Sequence, residues 1–371
     1  MKIITNIFLL ICFIASLTFA QRVIRINNFS GGLQKEFESA FKANRSAENF
    51  WIAYSITRSD AREFVVGSWY FSNSNDLVTL GDIVRHDVPG NDLHAERNHR
   101  RKGININSGF SINLEGADKE TAILIQYDRA SKGIEDFKMI DICSMSRSID
   151  LYGYPLIWIA SNVDQAKSVD FLKGLFTSTH YDISRRQIIP AIGIHSDQKS
   201  ATEFLKVQYD ATSDGEMKKK TAFWLGFQEN TEALNAVMAI VDSDAPMKVR
   251  KEAVSGLGFN MMPQSLDKLI TIIKSDKDHE IRRQAVFGLG NKAVDRAEEA
   301  LKGIVDNDPD IEIKKTAVYA LSNMSHDAVP YLIKLAKSHH SIEVRKCAIY
   351  SLSNCDDERA VDALISLAGN K

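Results

Sequence analysis

Residues 281–290 read IRRQAVFGLG. The same ten-residue pattern returns at 217–226 (MKKKTAFWLG), 249–258 (VRKEAVSGLG), 313–322 (IKKTAVYALS) and 344–353 (VRKCAIYSLS). From Met217 onward the offsets are 32, 32, 32 and 31 residues. A more divergent copy, SRRQIIPAIG, begins at Ser184, 33 residues before Met217. Self-similarity at a fixed period of this length is the signature of a repeat architecture. Ala285, Val286 and Leu289 share one face at helical spacing, as do Ala253, Val254 and Leu257, so each copy predicts one helix.

A second amphipathic helix precedes each copy. Its apolar residues are Leu266, Leu269, Ile270 and Ile273 in one repeat, Ala300, Leu301, Ile304 and Val305 in the next, then Val329, Leu332, Ile333 and Leu335. Polar turns such as Ser275–Asp278 and Asp306–Pro309 separate the helices, and Asp and Asn suit caps and tight turns. Gly256, Gly258, Gly288 and Gly290 allow close helix approach or helix ends. One such pair cannot bury its apolar face alone, and stacked neighbours can, so the pattern predicts an α-solenoid. It is expected over 164–371, as about six helix pairs and a terminal helix near 357–368. That helix starts on Asp356, Asp357, Glu358 and Arg359, a polar start suited to a cap.

The segments resemble bacterial HEAT-like repeats, of the short type shared with phycobilisome-lyase proteins. The likeness is carried by the valine or isoleucine, the two basic residues after it, the alanine beyond them and the leucine-glycine end. It implies fold far more than function, because one fold hosts many roles. HEAT-like hydroxylases that modify lysine hold iron through His-Glu pairs just after the first basic residue. Here those positions read Lys251-Glu252, Arg283-Gln284, Lys315-Thr316 and Lys346-Cys347. The one His-Glu pair, His279-Glu280, falls in a turn, so neither iron nor any other cofactor is expected. Bilin lyase activity would need a pigment-binding surface that the sequence does not locate.

Residues 1–20, MKIITNIFLLICFIASLTFA, carry one charge, an apolar run and small residues at Thr18 and Ala20. That is the layout of a secretory signal peptide cleaved after Ala20. The expected location is the periplasm or cell envelope, with no membrane-spanning segment in the mature chain. The cysteines left are Cys143, Cys347 and Cys355, an odd number. Cys347 and Cys355 either pair or remain thiols, Cys347 as a small buried hydrophobe.

Residues 21–162 lack the repeat grammar and are expected to form a small β-rich (α+β) domain. Strands are predicted at 50–57, 64–71, 109–114, 121–127, 137–144 and 156–161, in an antiparallel arrangement. Leu33, Phe37 and Phe41 predict a helix over 33–43. Trp51, Tyr54, Trp69 and Tyr70 serve either core packing or a sugar or peptide groove. Residues 85–102, RHDVPGNDLHAERNHRRK, predict a long polar loop. Arg100, Arg101 and Lys102 there are candidates for an anionic envelope component, and His86, His94 and His99 lack the spacing of a known metal set.

Lys+Arg is 46 against Asp+Glu 48, for a net charge of -2, which leaves no whole-chain footprint for nucleic acid. Hydrophobic residues at 44% and charged residues at 25% exclude disordered and disulfide-scaffold classes. Two basic residues open each second helix, from Arg185-Arg186 to Arg345-Lys346. They form either a track for an acidic partner or a structural set paired with the aspartate of each preceding turn, such as Asp244, Asp276 and Asp308. His326, His339 and His340 lie in turns. Trp224, Phe287, Tyr319 and Tyr350 stand at similar repeat positions, either as a contact face or as packing between repeats.

No phosphate loop, nucleophile elbow or catalytic set is legible. The expectation is a non-enzymatic, exported scaffold that binds a protein partner over several repeats. The alternatives are a sensor whose amino-terminal domain binds a small envelope ligand, and an enzyme with a site between the domains.

Overall fold

A computed structural model describes residues 23–25, 32–44, 49–58, 62–63, 65–66, 104–105, 111–112, 119–128, 133–141, 154–178, 182–196, 198–292, 294–324, 328–355 and 357–369. Residues 1–20, Trp69, Tyr70, the 85–102 loop with Arg100, Arg101 and Lys102, Cys143 and His326 lie outside the described residues. The chain divides into two compact units, 1–188 and 189–371.

In the first unit the strands are β1 (Val23–Arg25), β2 (Asn49–Arg58), β3 (Arg62–Glu63), β4 (Val65–Val66), β5 (Ile104–Asn105), β6 (Ser111–Ile112), β7 (Lys119–Asp128), β8 (Gly133–Asp141) and β9 (Leu156–Val163). Helix α1 spans Leu33–Ala43 and α2 spans Gln165–Ser178. Six strands form one sheet in the order β1-β9-β2-β7-β8-β4, and β3-β6-β5 form a second. The antiparallel expectation is corrected here, because β9 pairs parallel with both β1 and β2. Helix α1 supplies the crossover from β1 to β2, which leaves a slot between two strands of like direction, and β9 fills it.

Strand β2 is buried on both faces from Phe50 to Ile56. Its even-numbered side packs on the helices. Phe50 meets Phe41 of α1 at a centroid distance of 6.0 Å, and Tyr54 meets Phe171 of α2 at 5.9 Å. The Tyr54 hydroxyl hydrogen-bonds Ser168 Oγ of α2 at 2.8 Å, and burial holds its phenol far above the ordinary range. Trp51 lies on the opposite side of the strand, buried, with Lys138 Nζ 5.0 Å from its ring centroid. Trp51 and Tyr54 are therefore core residues of opposite sheet faces and do not line one groove. Helix α2, expected to open the repeat region, packs on the sheet and belongs with the first unit.

Eleven further helices complete α3 to α13 and one more closes the chain: α3 (Asp182–Gly193), α4 (Lys199–Ala211), α5 (Gly215–Phe227), α6 (Thr231–Asp242), α7 (Met247–Phe259), α8 (Pro263–Ser275), α9 (His279–Gly290), α10 (Asp295–Asn307), α11 (Ile311–Met324), α12 (Val329–Ser338), α13 (Ile342–Ser353) and α14 (Glu358–Gly369). The quoted ten-residue segments lie on α3, α5, α7, α9, α11 and α13. From α5 on, each of these packs against the next of the same kind and against its own first helix. The stack is an α-solenoid, preceded in the chain by the β-rich unit.

The caps explain the turns. Asp278 Oδ1 accepts from Glu280 N (2.9 Å) at the start of α9, Asp310 Oδ1 from Glu312 N (2.9 Å) at α11, and Ser341 Oγ from Val344 N (3.4 Å) at α13. A β-carbon on Gly226 would fall 2.8 Å from Gly256 C, and one on Gly258 would fall 2.8 Å from Gly288 Cα. Helices α5, α7 and α9 thus meet backbone to backbone, which no larger residue at these positions permits.

Candidate partner-binding surface

From α5 on, the seventh residue of the segment faces outward, in full or in part, and the eighth faces the neighbouring repeat. The seventh residues are Phe223, Ser255, Phe287, Tyr319 and Tyr350, and the eighth are Trp224, Gly256, Gly288, Ala320 and Ser351. Phe287 is 43% exposed, Tyr319 36% and Tyr350 60%, whereas Trp224 is 3% exposed. The rings of Tyr319 and Tyr350 meet edge to face at 6.2 Å, across adjacent repeats. Three of the four aromatic candidates therefore lie on one surface, on the successive helices α9, α11 and α13.

Trp224 does not belong to that surface. It occupies the position that carries a small residue in the other copies, and its bulk fits because Gly193 of α3 stands opposite. A β-carbon on Gly193 would collide with the indole. Phe227 packs on it at 5.0 Å and Phe223 at 5.2 Å. The repeat position equivalent to Phe287 is held by Phe223, which is half-buried. The one-residue difference between the 63-residue spacing of Trp224 and Phe287 and a true two-repeat spacing of 64 was the available signal.

The paired basic residues divide by role. The first of each pair turns inward to the preceding helix or the turn after it. Arg250 Nε donates to Val241 O at 2.7 Å and Arg282 Nε to Ile273 O at 3.0 Å. Lys314 Nζ donates to Val305 O at 2.8 Å, and Arg345 donates to His339 O at 2.6 Å. These cations satisfy carbonyls left open at helix ends. Arg282 also bridges to Asp308 at 3.0 Å and Arg250 to Asp276, each carboxylate lying in the turn of the following repeat. The first basic residue is thus structural, but its aspartate is not the one in the preceding turn: Arg250 and Arg282 take theirs from the turn of the next repeat.

The second basic residue lies one helical turn before the outward seventh position, on the same face. It pairs with a glutamate: Lys219 with Glu216 (2.7 Å), Arg283 with Glu280 (3.1 Å), Lys315 with Glu312 (3.0 Å) and Lys346 with Glu343 (3.3 Å). Lys251 reaches across to Glu280 at 3.5 Å, because Lys248 stands where the other helices carry glutamate. Glu252, beside Lys251, is half-buried, and burial pushes its carboxyl up against the opposing pull of Lys219 and Lys251. At α11 the Tyr319 phenol is pushed up to about 12, first by its hydrogen bond with Cys347 and then by burial.

A buried polar ladder two residues after each leucine-glycine end escaped the sequence reading. Gln228 Nε2 donates to Gly193 O at 2.7 Å. Asn260 Nδ2 donates to Gly226 O at 2.9 Å and Gln228 O at 2.7 Å. Lys292 Nζ donates to Leu257 O at 2.8 Å, to Asn260 O and to Ser265 Oγ at 2.9 Å. All three side chains are buried. They recur at 32-residue intervals, which is the signal that finds them.

The remaining candidates are accounted for locally. His279 Nε2 lies 2.9 Å from Asp310 Oδ2. The rings of His339 and His340 stack at 4.2 Å, and burial pulls the His339 imidazole down. Among the described residues no three His, Cys, Asp or Glu side chains come together as a metal-holding group. Cys347 is a buried thiol and Cys355 a half-buried one, with no disulfide between them. Helix α14 exposes Val361 and Ile365 beside Asp362 and Ser366, so its outer face is of mixed polarity after the polar start. Among the described residues no helix is long and apolar enough to cross a membrane.

The family model for HEAT repeats matches residues 202–290 and 297–371. No curated protein matches the chain. Among solved structures, the complex of CpcE and CpcF of phycocyanin lyase from Nostoc sp. PCC7120 is similar at 20% identity and a TM-score of 0.33, over 46% of this chain and 71% of that one. Human deoxyhypusine hydroxylase in complex with glycerol is similar at 16% identity and a TM-score of 0.28, over 56% and 91%. The YibA protein of E. coli is similar at 17% identity and a TM-score of 0.34, over 55% and 80%. The repeat period, the packing of successive second helices and the family match agree: the carboxy-terminal half is built of HEAT-like repeats.

Proposed function

We propose that this protein is an exported scaffold of the cell envelope that binds a protein partner on the second-helix face of its solenoid. The observation that carries the reading is the run of exposed aromatics Phe287, Tyr319 and Tyr350 on three successive repeats. Aromatic anchors of this kind concentrate binding energy at protein interfaces. The cation row beside them is matched by glutamates on α9, α11 and α13, which disfavours a polyphosphate track there. Export rests on the signal-like layout of residues 1–20.

The test is capture from an envelope fraction with the tagged chain and with its Tyr319→Ala/Tyr350→Ala variant. Both substitutions lie at exposed positions, so the helical circular dichroism should be unchanged. A partner held in stoichiometric amount by the parent should bind the variant about tenfold or more weakly. Equal retention by a folded variant removes this face from the proposal.

A further inference from the structure

Two turns of the stack share one device, and a third reproduces it with a different residue. Asp276 and Asp308 each do two things. Their Oδ1 accepts from the backbone N–H two residues on, at Asp278 and Asp310, both at 2.9 Å. The same carboxylates take Arg250 and Arg282, the first basic residues of α7 and α9. Ahead of α13 the corresponding residue is His339. Its Nδ1 accepts from Ser341 N at 3.1 Å, so the turn closes in the same way. Lys314 holds the place of Arg250 and Arg282, and its charge acts on the ring. An imidazole can stand in for the carboxylate here only while Nδ1 carries no proton.

The surroundings of the ring favour that neutral form. A ring that accepts through Nδ1 carries its proton on Nε2, which is buried and has no hydrogen-bond partner among the described residues. Lys314 of α11, Arg345 of α13 and the stacked His340 surround the turn with actual or latent positive charge. Arg345 donates to the carbonyls of His339 at 2.6 Å and His340 at 3.3 Å. Asp306, at the end of α10, opposes them, and the Tyr331 hydroxyl of α12 donates to that carboxylate at 2.9 Å.

We infer that His339 is a proton-operated latch, through which acid opens the turn that seats α13 on α11. Protonation of Nδ1 removes the acceptor for Ser341 N and sets a second cation against Lys314. Ser341 is also the cap of α13, so the helix loosens from its first turn. Tyr350 rides on α13, and its edge contact with Tyr319 loosens with it. Burial first, and then His340, hold the folded imidazole below its unfolded value of ~6.5. The unfolded turn therefore binds the proton more tightly. The contribution of the latch is complete above the unfolded value and is lost as pH falls from there to the folded one. The inference does not depend on what the aromatic face binds.

The test is hydrogen exchange of the full chain, read by mass spectrometry at about pH 7.5 and about pH 5.5, a window above the ordinary carboxylate range. Protection of residues 329–353, corrected for the intrinsic exchange rate at each pH, should fall about tenfold or more in acid, while that of α6 holds. His339→Asp and His339→Asn supply an acceptor that stays unprotonated over this window, and each should keep the protection at both pH values. His340→Gln should retain the loss. Circular dichroism checks that each variant is folded, and the measurement on the parent needs no variant. No loss at 329–353 in the parent, a loss spread evenly over the stack, or an undiminished loss in a folded His339 variant overturns the inference.

Discussion

Asn260→Asp should destabilise the solenoid far more than its size suggests. The side chain is fully buried between α5 and α7, and its volume hardly changes on substitution, so no cavity opens. What changes is the donor. In the parent, Asn260 Nδ2 serves both Gly226 O and Gln228 O, at 2.9 and 2.7 Å. An aspartate carboxylate has no hydrogen to offer, and two buried carbonyls lose their partner. At about 1–3 kcal/mol for each unsatisfied group, the loss is about 2–6 kcal/mol. The acceptor role toward Met262 N, at 2.9 Å, survives, so the turn into α8 is retained. Urea unfolding at pH 7, followed by circular dichroism and tryptophan fluorescence together, measures the loss and shows whether the stack still unfolds as one unit. A loss below about 1 kcal/mol would refute the assignment of Asn260 as an inter-repeat bridge.

Trp224→Ala should cost about 3–5 kcal/mol, as for a large buried ring, while Tyr350→Ala costs under ~1 kcal/mol; comparable losses by urea unfolding would contradict their assigned burial. Glu252→Gln should raise Tm at pH 7. Burial lifts the folded carboxyl above its unfolded value, so the ionised form opposes folding and the neutral amide does not. The Tm difference should fade as pH falls through the carboxylate range, and a variant less stable at pH 7 would reverse the sign derived from burial.

The solenoid was legible because helices are local and their contacts repeat. Ala285, Val286 and Leu289 announce a buried face, and the 32-residue period repeats that face along the chain. Helix α1 was legible for the same reason, over the residues where it occurs. The mixed sheet was not. Strand β9 lies between β1 and β2 although it starts 98 residues beyond the end of β2 and 131 beyond the end of β1, and no local pattern encodes that pairing. The surface was legible only in part. Exposure depends on a single-residue phase within the helix, and Trp224 falls one residue out of phase with Phe287. The polar ladder was obscured by chemistry: Gln228, Asn260 and Lys292 are different residue types doing one job, donating to the carbonyls of the preceding repeat.

That chemistry also separates what the repeat needs from what it carries. The eighth position is Gly256, Gly288, Ala320 or Ser351, and helix contact restricts it to small residues unless, as at Trp224, a glycine opposite makes room. The seventh position has no such restriction. Ser255 occupies it on α7, and α7 still packs between α5 and α9 with its backbone in close contact with both. A ring at this place is therefore not required for stacking. The edge contact between Tyr319 and Tyr350 is worth about 0.5–1.5 kcal/mol, yet both rings stay open to water, and Phe287 is exposed as well. An exposed aromatic repeated on three neighbouring helices, where a serine suffices for the fold, is better explained by something that binds there than by packing.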